Sequence, residues 1–197
     1  MIRMFKICLL VAALLVPAGA FASACDVGGT ITATKNPNAQ GPEWQYTAVI
    51  HWDTGTRYAL SHLTMLLDVA GGTCSCQNFQ STLTWGYPIG ASGTTCVSQY
   101  WGELNCQGDP SIPGAAGIAL KLNPIAGTCE PGTTGTGTFV FTSNLAPAQI
   151  DEEALTMVDK YGQQYCWGHL TGQFPALPCN PVAGELSPWG SVKGMFR

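Results

Sequence analysis

Eight cysteines, Cys25, Cys74, Cys76, Cys96, Cys106, Cys129, Cys166 and Cys179, follow a leader-like N-terminus. Their even number predicts a chain cross-linked by disulfides in an oxidising compartment. A ninth, Cys8, falls within residues 1–24, which have the three parts of a signal peptide: Arg3 and Lys6, an apolar run from Ile7 to Val16, and small residues at Ala20, Ala22 and Ala24. Cleavage is expected after Ala22 or Ala24. The apolar run is shorter than the roughly 20 residues of a permanent span, so no integral membrane segment is expected once the leader is removed. Lipidation of Cys25 is the rival reading. It is disfavoured because Ala22 stands where a large aliphatic residue is usual and because seven thiols would remain. The expected location is secreted, extracellular or periplasmic.

The mature chain of about 173 residues is long enough for one domain with its own core. Residues 25–180 are read as that domain and 181–197 as a tail. In the tail Trp189, Val192 and Phe196 would share one face of a helix beside Lys193 and Arg197, the makings of a docking or sorting peptide. Charged residues make up only 10% of the chain, against about 25% in ordinary globular proteins. Loss of Arg3 and Lys6 with the leader takes the formal charge from −4 to −6. No cluster of Lys and Arg follows, so nucleic acid and anionic membrane surfaces are not expected partners.

The apolar pattern has a period of two, which predicts strands. Trp44, Tyr46, Ala48, Ile50 and Trp52 alternate with Gln45, Thr47, Val49 and His51. Shorter runs at 29–34, 80–85, 94–101, 117–122, 137–142 and 164–171 are bounded by Gly, Pro, Asn or Asp. Two segments are ambiguous. Tyr58 to Val69 fits a helix through Leu60, Leu63, Leu66 and Leu67, or a strand through Leu63, Met65, Leu67 and Val69, and the strand is preferred. Ile150 to Tyr161 reads as a helix opened by Asp151, Glu152 and Glu153, or as a hairpin arm. The predicted fold class is all-β: a disulfide-stapled antiparallel β-sandwich with at most one or two short helices. At the level of pattern alone it resembles the secreted immunoglobulin-like sandwiches.

Motifs that dictate chemistry are missing. Cys74 and Cys76 could reach one metal, but no Cys-x-x-Cys pair completes a tetrahedral set. Eight cysteines allow 105 pairings; proximity suggests Cys166 with Cys179, and Cys74 or Cys76 with Cys96 or Cys106. His51 and Asp53 share a strand face, yet with His62 and His169 they read as structural residues. Asp26, Asp53 and Asp109 read as turn closers before calcium ligands. No nucleophile elbow, zinc-protease helix or phosphate loop is present. Asp53, Asp68, Glu103, Asp109 and Glu130 could furnish carboxylate pairs, but nothing sets two across one cleft. No catalytic residue, metal or cofactor is expected.

Aromatic residues carry the one lead to a ligand. Trp85, Tyr87, Tyr100 and Trp101 are the candidate contacts, because ring faces stack on the apolar faces of sugars. Tyr100 and Trp101 are adjacent on a predicted strand, so one of them points away from the core. The leading expectation is a non-catalytic structural or adhesive protein that self-associates through strand edges, with the 30–34 strand as the one donated. A carbohydrate-binding module is the alternative, with glycan as partner, and a secreted hydrolase ranks third.

Overall fold

A computed structural model describes residues 24–67, 76, 80, 83–162 and 164–175. The expected leader, Cys74, Cys179 and the tail lie outside the described residues. The fold is all-β. Its strands are β1 (Asp26–Lys35), β2 (Trp44–Asp53), β3 (Leu60–Leu66), β4 (Leu83–Thr84), β5 (Gly90–Ser92), β6 (Ser98–Asn105), β7 (Ala119–Pro124), β8 (Thr134–Ser143), β9 (Pro147–Asp159) and β10 (Tyr165–Pro175). Both ambiguous segments are strands. Leu63 and Met65 of β3, with Leu67 just past its end, lie in the main core as the preferred alternation has them; Val69 lies outside the described residues.

The strands form one hydrogen-bonded ring in the order β2-β1-β10-β9-β3-β7-β6-β5-β8, closed by pairing of β8 with β2. This departs from the expected two-sheet sandwich, because backbone pairing runs unbroken around nine positions. β4 and β5 share the eighth position, along the same side of β8. Residues Ser143 and Thr142 of β8 pair with β4 while Phe139, Thr138 and Gly137 pair with β5, and Val140 N–H donates to Ile89 C=O between them at 2.8 Å. An odd ring cannot close with antiparallel neighbours throughout, so one seam has to be parallel. It joins the first strand to the last, β1 with β10, at Gly29, Thr30 and Ile31 against Leu170, Thr171 and Gly172.

Closure alters the expected route to assembly. The 30–34 segment pairs with β2 along its whole length and with β10 at Thr30 and Ile31, where the parallel pairing that starts at Gly29 ends. It is built into the wall and is not a strand offered at an edge.

The interior is filled by side chains. Tyr46 stacks on Phe141 at 5.2 Å and Tyr100 meets Phe139 edge-on at 5.1 Å. All four rings are buried, with Ile31, Ile50, Leu60, Leu63, Met65 and Leu120 around them. Tyr100 and Phe139 flank Gly90 on β5; a Cβ there would lie 2.3 Å from the Phe139 ring. Glycine is what lets the two rings meet over an intervening strand.

Among the described residues three disulfides staple the ring. Cys25 is bonded to Cys166, Cys76 to Cys106 and Cys96 to Cys129, with Cα atoms 6.0, 5.4 and 5.6 Å apart, inside the usual bridging range. Cys76 with Cys106 is among the pairs suggested by proximity. Cys166 with Cys179 is not formed: Cys166 holds Cys25 across the parallel seam, a contact set by ring closure and invisible to sequence distance. The Cys25 thiol is thereby committed to a disulfide and not to an acyl chain. These cross-links fit a protein of a non-cytosolic, oxidising compartment. Among the described residues no helix is long and apolar enough to cross a membrane.

Outside the ring, the loop from Cys106 to Gly117 lies over β3, β7 and β9. Ile112 and Ala115 make a second small core with Leu66, Ala119 and Val158, and Trp167 packs at its margin. Burial on both faces explains why β3 shows no alternation of buried and exposed residues, with His62 and Thr64 buried as well as Leu63, Met65 and Leu66.

Candidate functional site

The loop over β3 is pinned by one buried carboxylate. Asp109 Oδ2 accepts from Thr64 Oγ1 at 2.7 Å and lies 2.9 Å from His62 Nε2. Its Oδ1 accepts from Ser111 N–H at 3.0 Å, from Ser111 Oγ, and from Lys121 Nζ at 3.3 Å. Burial alone would raise this carboxyl; the hydrogen bonds from His62, Ser111 and Thr64 outweigh it and hold the group well below the usual carboxylate range.

Serine, histidine and aspartate stand together here, so the wiring decides the chemistry. In a nucleophilic triad one imidazole nitrogen faces the acid and the other takes the serine proton. Here His62 Nε2 faces both Asp109 and Ser111 Oγ, the latter at 3.2 Å, while Nδ1 faces Ser61 Oγ at 3.2 Å. A nitrogen against a carboxylate carries hydrogen, so Nε2 has no lone pair for Ser111, whose own proton goes to Asp109; the nitrogen opposite the acid is Nδ1, and the serine it faces is Ser61. The cluster is a clamp between loop and barrel. Asp109 does close a turn, as read from sequence, and also anchors the loop to two strands, to His62 and Thr64 of β3 and to Lys121 of β7.

The other polar candidates are dispersed. His51 Nε2 lies 3.5 Å from Asp26 Oδ2 on the outer surface, both exposed. Asp53 accepts from Gly55 N–H at 2.8 Å and closes a turn. His169 is exposed on β10. Among the described residues no group of three or more His, Cys, Asp or Glu is placed to hold a metal. Asp68 lies outside the described residues.

The four aromatic candidates separate. Tyr100 takes the inward position of its pair, fully buried with its hydroxyl 2.7 Å from Ser92 Oγ, so it is withdrawn from any surface contact. Trp101 points outward opposite Asn123 and is half-buried. Trp85 packs against the core. Tyr87 is 72% exposed, next to a cis peptide bond to Pro88. No single platform unites them.

A different aromatic cluster stands at one end of the barrel. Tyr161 occupies the turn between β9 and β10, where Gly162 N–H donates to Asp159 C=O at 3.1 Å. Its φ is +79°, with no positive φ at Lys160, so the turn is of type II with tyrosine where glycine or asparagine belongs. The Tyr161 side chain is 80% exposed and tilts against Tyr58 at 4.9 Å, while the Arg57 guanidinium covers the Tyr58 ring at 5.0 Å and donates to its hydroxyl at 2.8 Å. Beginning at Lys160 is a cleft of 350 Å³ whose walls include Ser61, Ile125, Thr128, Glu130 and Pro131; Lys160 and Glu130 form an ion pair at its rim. Sequence reading missed this cluster because Tyr58 and Tyr161 are 103 positions apart and are joined only through β3 and β9. The one local signal was Tyr161-Gly162 in a hairpin turn.

A second surface is the outer wall of β10, β1, β2 and β8. Rows of paired residues run across it: Thr171, Thr30, Val49 and Thr138, then Thr32, Thr47 and Val140. Thr34 and Gln45 pair beside Thr142, and Val49 is 41% exposed. Charge is confined to the ends, in the pairs His51 with Asp26 and Lys35 with Glu43.

Fold and surfaces together define a class: a disulfide-stapled β-barrel with a filled interior, whose accessible chemistry is on the outside. No family model, no curated protein and no solved structure matches the chain.

Proposed function

We propose that this is an exported, non-catalytic structural or adhesive protein that works through the outside of its barrel, as a subunit of an extracellular or cell-surface assembly. The uncharged threonine and valine wall carries the reading. Exposed β-surfaces ordinarily hold lysine and glutamate, which oppose association; this wall has them only at its margins. The filled interior supports the same view, since a barrel that contains its own side chains holds no internal cargo. We also read the ring as flattened, with β10-β1-β2-β8 facing β9-β3-β7-β6 in the manner of a sandwich, because nine strands in a round barrel enclose more space than side chains fill. Association then proceeds by faces, since the ring has spent its edges on itself. Sedimentation over a wide concentration range and electron microscopy of concentrated protein test this. Concentration-dependent oligomers or ordered arrays support the reading; a monodisperse monomer throughout sinks it.

Glycan binding is the second reading, kept because Tyr87 and Trp101 reach the surface. A glycan array with and without Trp101→Ala tests it.

A further inference from the structure

We propose that Ser61 is a nucleophile, with His62 as its base and Asp109 as the positioning residue behind that base, and that it takes the acyl group of small neutral esters. In β3, Leu60 and Leu63 both lie in the main core although they stand three positions apart. Strict alternation would set them on opposite faces. The ladder with β9 resolves this: Leu60 pairs with Asp159 and His62 with the next residue, Val158, so Ser61 is the extra residue of a bulge. A bulge re-aims side chains, and here Ser61 Oγ comes to 3.2 Å from Nδ1 of its neighbour His62. Asp109 sets the direction of that contact. His62 Nε2 lies 2.9 Å from the Asp109 carboxylate and carries hydrogen, so Nδ1 keeps the lone pair and the Ser61 hydroxyl donates to it. A hydroxyl within reach of a base that a third group orients is the signature of an activated nucleophile. Ser111 gives its own proton to Asp109 and has no such base.

The substrate class follows from the cleft that Ser61, itself half-buried, helps to line. Pro124, Ile125, Ala126 and Pro131 make its 350 Å³ largely apolar, which suits a short aliphatic acyl chain. Its other polar side chains are committed, Lys160 to Glu130 and Thr128 Oγ1 to the Ile125 carbonyl at 2.8 Å. A charged acyl group therefore finds no partner there, and Ser61 is the hydroxyl directed at a base. In the transfer, Ser61 Oγ bonds to the ester carbonyl carbon as its proton passes to His62 Nδ1. The ester C–O bond breaks, the departing alkoxide takes that proton and an alcohol leaves; nothing is oxidised or reduced. The acyl group stays on Ser61 as a new ester. This goes beyond assembly through the outer wall and does not rest on it, because a single transfer modifies a structural protein without turnover.

The test treats the oxidised full chain with a fluorophosphonate probe and with p-nitrophenyl acetate, and locates the adduct by peptide mass mapping. The expected result is a single adduct on Ser61, absent from Ser61→Ala and from urea-unfolded parent, with the Tm of Ser61→Ala within a few degrees of the parent. Asp109→Asn is the second arm, read as the labelling rate of its folded fraction. Ser111 N–H and Lys121 Nζ hold the amide oxygen, so the amide N–H faces Nε2, hydrogen shifts to Nδ1 and labelling slows by about tenfold or more. A purely structural aspartate would not move that rate. An acetyl group retained on Ser61 supports both this site and the non-catalytic reading; continued release of p-nitrophenolate that Ser61→Ala abolishes supports the site and ends the non-catalytic reading. Labelling of Ser61→Ala or of unfolded chain at the parental rate, an adduct on another residue, parental labelling in folded Asp109→Asn, or no adduct at all would overturn the proposal.

Discussion

At the scale of single residues, two side chains are held against their ordinary preference, for opposite reasons. Asp109 is a buried charge fixed by His62, Ser111, Thr64 and Lys121. Its folded-state carboxyl is held below the unfolded value of about 3.9. The unfolded chain therefore binds the proton more readily, so the contribution is complete above about pH 4 and declines as pH falls below it. Asp109→Asn is expected to cost about 3–5 kcal/mol at pH 7, by leaving Lys121 and His62 facing an uncharged amide. The difference from the parent should narrow at pH 3, as read from urea unfolding at both pH values. Tyr161 shows the reverse balance. Relief of a left-handed φ gains about 1–2 kcal/mol, and loss of the exposed ring contact with Tyr58 gives back about 0.5 kcal/mol. Tyr161→Asn should therefore be neutral or stabilising by up to about 1 kcal/mol in the same titrations.

Among elements, the parallel seam is the place where the ring depends on covalent help. β1 and β10 are the two ends of the fold and meet through only three register pairs. Their backbones approach so closely that a Cβ on Gly168 would sit 1.7 Å from the Val27 carbonyl oxygen, and one on Gly172 would sit 2.0 Å from that of Ile31. The Cys25–Cys166 bridge spans 141 residues, against 30 and 33 for the other two. Loop-closure entropy grows with the logarithm of that separation, so this bridge should outweigh each of the others by about 1 kcal/mol. Paired Cys→Ser replacement of each bridge in turn, followed by thermal unfolding, checks the order; the Cys25 and Cys166 pair should give the largest drop in Tm. The outward-facing Trp101 on β6 belongs to this scale too. Its replacement by alanine should leave Tm within a few degrees, as expected for a half-buried outward residue, and should abolish glycan-array signal if β6 carries the ligand.

For the whole molecule, assembly through the outer wall is a statement about a face and not about one contact. Val49 lies at its centre, between Thr30 and Thr138. Val49→Lys should lower the association constant at least tenfold in sedimentation, with stability changed by no more than about 0.5 kcal/mol, because an exposed lysine is tolerated by the fold and opposed by a like face. Much of this surface was legible in the sequence: alternation in residues 44–52 gives both its aromatic interior and its polar exterior, since period two fixes sides once a strand forms. Alternation also decided the all-β class, but in Tyr58 to Val69 it fits a helix as well as a strand, and the strand is preferred because its neighbours are strands. Cysteine parity behind a leader-like N-terminus gave the expectation that the chain is cross-linked. What period two cannot encode is which strand lies beside which. Closure into a ring, the parallel seam, the meeting of Cys25 with Cys166, the burial of Tyr100 over Trp101 and the pairing of Tyr58 with Tyr161 all depend on neighbours scores of residues away. Local residue preferences carry no term for such distances; only the tertiary structure, by packing one filled interior and pairing nearly every backbone group around it, decided them.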